Sequence, residues 1–328
     1  MKPRALFHSG SLLGREVRER VAERPAFVGR DIHLFSALDA EVGTLTEVAG
    51  AATFVRRYTP GDLEGVELAI FCDASATSRE IAASRPSGTT AIFLGDAAGD
   101  QNESPISPLP PIVAGINDAL ASRGGIWSSP HPAAVLLAHL LHPLRGLGIE
   151  EAVATVIQPA SIEGEAGVDE LFEDARQVFT MSGKRKNPIF GKQLAFNLLP
   201  TQSGTQPIAQ ALAAILQGEP PVALHVIQGG VFHGITVSLF VRSAAVAGLA
   251  AGAGAKAIKK ALAANPHLEL DDVPKGLGPI DAAGTDKVLV APIRAEANAA
   301  GGFWIWATLD NLARGGALNA LEIAEGLL

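Results

Sequence analysis

The chain has 328 residues, of which 48% are hydrophobic and 18% charged, and this composition excludes an intrinsically disordered protein. Its formal net charge is -8 and its basic residues are scattered, so nucleic acid is not an expected partner. The single cysteine, Cys72, excludes an intramolecular disulfide and fits a reducing compartment.

Neither a targeting segment nor a membrane-spanning segment is predicted. The N-terminal residues reach Gly10 and Ser11 after only a few apolar positions, unlike a secretory signal. The longest apolar stretch near the middle, Ala133 to Leu141, is far shorter than the roughly 20 residues that cross a bilayer. We therefore expect a cytoplasmic protein with no membrane partner.

Strands and helices alternate in the N-terminal third. An apolar run, Ala5 to Phe7, enters a small-residue turn, and an amphipathic helix is predicted from about Leu13 to Arg24. The alternation continues with strands at Asp31 to Ser36, Val66 to Cys72, Thr90 to Leu94 and Ile112 to Ala114, and helices at Ser78 to Ala83 and Asn117 to Ser122. Such alternation predicts an α/β fold with a parallel, doubly wound sheet.

The character of the chain changes after Gly124 and Gly125, where longer β-prone runs begin. The predicted strands are Glu151 to Ala160, Val222 to Gly229, Gly234 to Arg242, Lys287 to Ala291 and Phe303 to Asp310. Their length and close spacing indicate a mixed or antiparallel sheet covered by helices. Helices are predicted at Ser243 to Ala264 and at Ala317 to Leu328, and the second has a broad apolar face that needs a partner surface.

The C-terminal motif identifies a family. The run from Asp310 to Ala320 resembles D-N-L-R-K-G-A-A-L-N-A of aspartate-semialdehyde dehydrogenase. Three further segments are similar to family motifs in the same order, namely Gln158 to Leu171, Gln193 to Pro200 and Asp281 to Val290. The resemblance covers about half of the chain.

This resemblance implies two domains. Residues 1–124, with the C-terminal helix 316–328 returning to them, would form a Rossmann-like NAD(P)-binding-type domain. Residues 125–315 would form the dimerisation and substrate domain, with a mixed sheet. The implied partners are a second copy of the chain, an active paralogue or another enzyme.

The resemblance also shows which catalytic residues are replaced. The family's cysteine nucleophile, substrate arginine and histidine base align with Pro132, Gln228 and Ile235, respectively. A proline offers no nucleophile, and without a guanidinium the bidentate recognition of a carboxylate is lost.

A vestigial pocket is expected at His131, Gln158, Gln228 and His233. Gln158 matches a pocket glutamine of the family, or it only satisfies backbone groups at a strand end. His131 and His233 could act as acid or base on another substrate, or they could be polar residues with satisfied hydrogen bonds. No metal is expected, although His139 and His142 share a predicted helix, and Cys72 is interpreted as a buried, inert thiol.

The cofactor turn departs from the family's G-A-T-G-A-V-G, because the chain has His8 to Gly14 in its place. The resemblance implies cofactor binding by Gly10, Ser11, Leu12, Leu13 and Asn319, with NAD or NADP. A carboxylate at Asp39, near the position of the family's arginine for the 2′-phosphate, favours NAD over NADP.

These replacements predict a dimeric, non-catalytic member of the family with a regulatory or scaffolding role. The alternatives are an NAD(P)-dependent oxidoreductase or a lyase acting on a different substrate, and a sensor of an uncharged small molecule. Retained dinucleotide binding would favour the oxidoreductase.

Overall fold

The computed structural model describes residues 2–95, 109–181, 186–201, 205–271 and 276–328, and the chain divides into two compact units. The first unit comprises Met1–His131 and Gly316–Leu328. The second comprises Pro132–Gly315.

The first unit contains a parallel sheet. Its strands are β1 (Arg4–Phe7), β2 (Ile32–Ser36), β3 (Leu45–Val48), β4 (Ala51–Phe54), β5 (Arg56–Arg57), β6 (Leu68–Phe71), β7 (Thr90–Leu94) and β8 (Ile126–Ser129), and its N-terminal helices are α1 (Leu12–Arg20) and α2 (Ala76–Ala83). The sheet order is β5-β2-β1-β6-β7-β8, and every neighbouring pair is parallel, while β3 and β4 form a separate antiparallel hairpin. The Rossmann-like prediction is thereby confirmed.

Both faces of this sheet are buried, as expected for parallel strands. Successive residues of a strand point to opposite faces, so Leu6 enters one apolar core while Phe7 enters the other. The ring of Phe71 stacks on Phe7 at 4.5 Å and on Phe93 at 4.7 Å between centroids, which joins three adjacent strands.

The second unit contains a mixed sheet, as predicted. Its helices are α3 (Pro132–Leu141), α4 (Gly164–Thr180), α5 (Thr205–Ile215), α6 (Ala244–Ala247), α7 (Ala251–Leu262) and α8 (Pro279–Ala282). Its strands are β9 (Ile149–Gln158), β10 (Leu198–Thr201), β11 (Val222–Gly229), β12 (Ile235–Ser243), β13 (Leu268–Leu270), β14 (Val288–Val290), β15 (Arg294–Ala295) and β16 (Gly302–Leu309). The order is β10-β11-β9-β12-β16-β14-β13, with β15 also on β16.

The two faces of the mixed sheet differ in burial. Along β9, Ala152 and Ala154 are buried, while Val153 between them is exposed. The buried face is covered by helices such as α3, whose residues from Ala133 to Leu141 are all buried. Within the described ranges no helix is long and apolar enough to span a bilayer.

The last helix, α9 (Asn319–Leu327), belongs to the first unit. Its apolar residues enter the same core as Leu6 of β1; they are Leu321, Ile323, Ala324 and Leu327. The expected return of the C-terminal helix to the first domain is confirmed.

Three predicted elements are wrong in kind or extent. Ile112 to Ala114 is not a strand, and only the preceding Pro111 forms an isolated bridge, to Ser128. The helix predicted from Asn117 is a single 3-10 turn, Asp118–Leu120. The side chain of Asn117 accepts the Val113 amide at 2.8 Å, so the local hydrogen bonds form a tight turn instead.

The third difference lies in the second unit, where the helix predicted at Ser243 to Ala264 is broken at Gly248 into α6 and α7.

Candidate active site and cofactor turn

Three family positions meet at one edge of the mixed sheet. Gln158 ends β9, and it is the register partner of Gln228 near the end of the parallel strand β11. On the other side of β9, antiparallel β12 begins at Ile235, one residue before the Thr236–Ile157 pair. The sheet order β11-β9-β12 therefore places Gln228, Gln158 and Ile235 on adjacent strands.

Gln158 and Gln228 form a buried amide pair. The Nε2 of Gln158 donates to Oε1 of Gln228 at 2.9 Å, and Nε2 of Gln228 donates to the backbone oxygen of Gln158 at 3.2 Å. A carbonyl can only accept, so the second bond fixes the orientation of both amides. Relative exposure is 1% for Gln158 and 4% for Gln228, so two neutral amides occupy this place.

One acceptor of the pair is unsatisfied. The fixed orientation leaves Oε1 of Gln158 as the atom not directed at Gln228. This oxygen is buried and has no hydrogen-bond partner among the described residues. A buried acceptor in that state costs about 1–3 kcal/mol relative to a hydrogen-bonded one.

Pro132 begins α3 and packs against a glycine. A methyl group added to Gly315 would lie 2.6 Å from Cβ of Pro132 and 3.0 Å from Cδ1 of Leu309. Leu309 is in turn the register partner of Ile235, which is fully buried. Pro132 and Ile235 therefore lie in one apolar region, and neither side chain can add to a carbonyl or transfer a proton.

Asn311 organises the loop between β11 and β12, and sequence reasoning gave it no role. Its Oδ1 accepts the Gly234 amide at 2.8 Å, and its Nδ2 donates to Oγ of Ser161 at 3.1 Å. The amide of Ser161 donates to the oxygen of Phe232 at 3.1 Å. The D-N-L motif contained the signal, because Asn311 is the asparagine of that motif.

The two histidines expected in the pocket have different environments. His131, in the first unit, is buried, and burial lowers its pKa to about 4. It is therefore neutral near pH 7. His233, in the second unit, is exposed.

The turn after β1 keeps its glycines for packing reasons. A methyl group on Gly14 would lie 2.4 Å from Cα of Ser9, and one on Gly10 would lie 2.5 Å from Oε1 of Glu41. The side chain of Ser11 caps α1, accepting the Gly14 amide at 3.1 Å. Leu12 and Leu13 are the first two residues of that helix.

The buried side chain of Asn319 is engaged inside the first unit. Its Oδ1 accepts the Ala114 amide at 2.9 Å. Its Nδ2 donates to the oxygen of Ile112 at 3.0 Å and to Oγ of Ser129 at 2.9 Å. Both amide protons are used within the fold, so this side chain can offer no donor to a cofactor.

The remaining candidates are accounted for by local contacts. Asp39 forms an exposed ion pair with Arg57. His139 is buried beside the ring of His267 at 4.7 Å between centroids, and Asn265 donates to its backbone oxygen at 3.0 Å. Across the described ranges no group of three or more His, Cys, Asp or Glu side chains is placed to hold a metal ion.

The family profile "Semialdehyde dehydrogenase, dimerisation domain" matches residues 141–314, more than half of the chain. This chain belongs to the aspartate-semialdehyde dehydrogenase family. An aspartate-semialdehyde dehydrogenase of Rickettsia bellii is 30% identical over 216 residues, covering 62% of this chain and 62% of that protein. A USG-1 protein homolog of Azotobacter vinelandii is 27% identical over 343 residues, covering 99% of this chain and 97% of the other.

The fold is shared with solved family structures. A probable aspartate-semialdehyde dehydrogenase from Pseudomonas aeruginosa superposes with a TM-score of 0.85 at 26% identity, covering 99% of this chain and 97% of that one. The likeness therefore extends through both units of the chain.

Proposed function

We propose that this chain is a non-catalytic, dimeric member of the aspartate-semialdehyde dehydrogenase family that regulates or supports an active paralogue or another enzyme. The observation that carries the proposal is the Gln158–Gln228 pair, which places two neutral amides where the family resemblance implies a substrate-binding guanidinium.

The chemistry of the family supports the same conclusion. A thiolate attacks the aldehyde, and the reaction needs a base and a cation for the substrate carboxylate. Here Pro132, Ile235 and Gln228 stand at those three positions. Loss of a nucleophile alone lowers turnover by roughly 10⁴- to 10⁶-fold. With all three residues replaced, these positions supply no nucleophile, no base and no cation for the reaction.

The second unit offers a surface for self-association. Val153 and Trp306 are exposed on the mixed sheet at 38% and 37%. Phe179 and Phe196 are 76% and 70% exposed, and their rings meet edge to face at 5.6 Å. Phe179 and Phe196 thus form a contiguous exposed apolar patch, a feature that can mark an interaction site, and all four residues lie within the segment matched to a dimerisation domain.

Turnover of the purified full-length protein tests the non-catalytic role. The assay contains aspartate semialdehyde and phosphate with NADP or NAD, and a cysteine-containing family member is assayed beside it. No turnover above background is expected. Turnover within about a hundredfold of the 1–10³ s⁻¹ typical of enzymes would refute the proposal.

Light scattering on a sizing column tests the dimer. We expect the wild-type chain at twice its monomer mass and Phe196→Asp displaced toward the monomer. Phe54→Asp is the matched control, since Phe54 is 59% exposed but lies in the first unit. A monomeric wild-type protein, or equal effects of the two variants, would contradict a dimer formed through this surface.

A further inference from the structure

The carboxyl edge of the first sheet is the place where open α/β folds bind their ligands. Strands β2, β1 and β6 are adjacent and parallel, so the residues that follow them lie along one edge. A dinucleotide bound there needs close approach of its diphosphate to the turn after β1, with the helix N-terminus free to face the negative charge.

A histidine side chain spans this edge. His8 follows β1, and its Nε2 accepts the backbone amide of Ala37, which follows β2, at 3.1 Å. Because a backbone amide can only donate, Nε2 carries no proton and Nδ1 carries it. Nδ1 lies 3.0 Å from Oδ2 of Asp73, which follows β6.

A serine completes the network around this ring. The Oγ of Ser78 lies 3.0 Å from Nδ1 of His8, and its hydroxyl donates to Oδ1 of Asp73. His8 is only 3% exposed, so the ring is enclosed by its own chain. Ser78 and Asp73 both contact Nδ1 of His8, and Nε2 accepts the Ala37 amide. A relay from serine to aspartate needs the two residues on opposite ring nitrogens, so this arrangement cannot act as a catalytic triad.

A carboxylate occupies the next part of the turn. A methyl group added to Gly10 would lie only 2.5 Å from Oε1 of Glu41, so the Glu41 carboxylate fills the space beside Gly10. The other oxygen, Oε2, is buried and has no hydrogen-bond partner among the described residues. The Nε atoms of Arg15 and Arg18 donate to the backbone oxygens of Gly10 and Ser9 at 3.0 and 3.1 Å.

We infer that the dinucleotide site of this chain is closed by its own side chains, with His8 bridging the strand ends and Glu41 occupying the approach to Gly10. A diphosphate entering there would meet two carboxylates, Glu41 and Asp73, and would have to displace the first. The residues present therefore do not fit NAD or NADP. This inference extends the proposed function to the cofactor site, and the two can fail separately.

Calorimetric titration of the full-length protein with NAD and NADP tests the inference. No saturable binding by the wild type is expected up to millimolar nucleotide. The variant His8→Gly/Glu41→Ala should bind one of the two nucleotides at least tenfold more tightly than the wild type. Glu41→Ala alone should also bind that nucleotide more tightly than the wild type, and this single variant serves as the test if the double variant does not fold.

The matched control is Glu64→Ala, which removes one negative charge from an exposed position of the same unit. Its affinity should equal that of the wild type. Micromolar binding by the wild type would overturn the inference while leaving the non-catalytic role intact if no turnover accompanies it. Failure of both opening variants, correctly folded by circular dichroism, to gain affinity would also overturn it, as would an equal gain by Glu64→Ala.

Discussion

Nε2 of Gln158 and Oε1 of Gln228 are hydrogen-bonded at 2.9 Å across the paired ends of two parallel strands. Each glutamine depends on the other, because Gln228 also donates to the backbone oxygen of Gln158. Gln228 thus gives the buried Gln158 a hydrogen-bond partner inside the protein, whereas a substrate site would direct polar side chains to a ligand.

Gln228→Ala should lower the free energy of unfolding by about 1–3 kcal/mol, because Nε2 of Gln158 would lose its buried acceptor. Urea denaturation followed by circular dichroism measures the change. Gln210→Ala, at an exposed position of α5, is the control and should change stability by less than about 0.5 kcal/mol. Equal effects of the two substitutions would show that the pair contributes nothing.

Cys72 should be inert in the native protein. Its side chain is buried. Burial, and to a smaller extent the negative charge of Asp73, raises the pKa of the Cys72 thiol. A disulfide reagent should therefore label no thiol before unfolding and one per chain afterwards. Pro132→Cys is the positive control, since its thiol would lie partly exposed at the start of α3. Rapid labelling of the native wild type would contradict the prediction.

Stability should fall as pH drops below neutrality because of His131. Burial lowers the pKa of His131 to about 4, against about 6.5 in an unfolded chain. Between these values the unfolded chain binds a proton that the folded chain does not, so lowering the pH through this window destabilises the fold by up to about 3 kcal/mol.

The substitution His131→Gln should remove this part of the pH dependence, which is measured by urea denaturation at about pH 5 and about pH 7.5. The exposed His225→Gln is the matched control and should keep the wild-type difference between the two pH values. An unchanged pH dependence in His131→Gln would show that another group is responsible.

Asn319→Ala should destabilise the first unit by about 2–3 kcal/mol, because it leaves buried backbone groups of residues 112 and 114 without their partner. The control is Asn298→Ala, at an exposed position. Chemical denaturation of both variants gives the comparison. A loss below about 0.5 kcal/mol for Asn319→Ala would mean that the amide is replaceable there.

Apolar patterning predicted the strands whose side chains are themselves apolar. The bounds of β7 and β11 agree with the prediction because Thr90–Leu94 and Val222–Gly229 are continuous β-prone runs. It missed β8, which ends in Ser128 and Ser129, since these serines are buried among polar partners and produce no hydrophobic signal.

The site was only partly predictable for a related reason. Motif comparison pointed to Pro132, Gln228 and Ile235, because the identity of a residue at an aligned position is local information. It could not show that Gln158 and Gln228, 70 residues apart, satisfy each other, since strand order and register bring them together. The approach of Glu41 to Gly10 likewise depends on the path of the chain after β2, which periodicity does not specify.

The C-terminal helix imposes an order on biosynthesis. Domains generally begin to fold as they leave the ribosome, N-terminal segments first. Here the N-terminal sheet emerges early, yet one of its two cores lacks Leu321, Ile323 and Ala324 until α9 has been synthesised. The apolar surface that α9 covers in the first unit therefore stays exposed while all of Pro132–Gly315 is made, so a nascent chain is open to aggregation at this surface during that time.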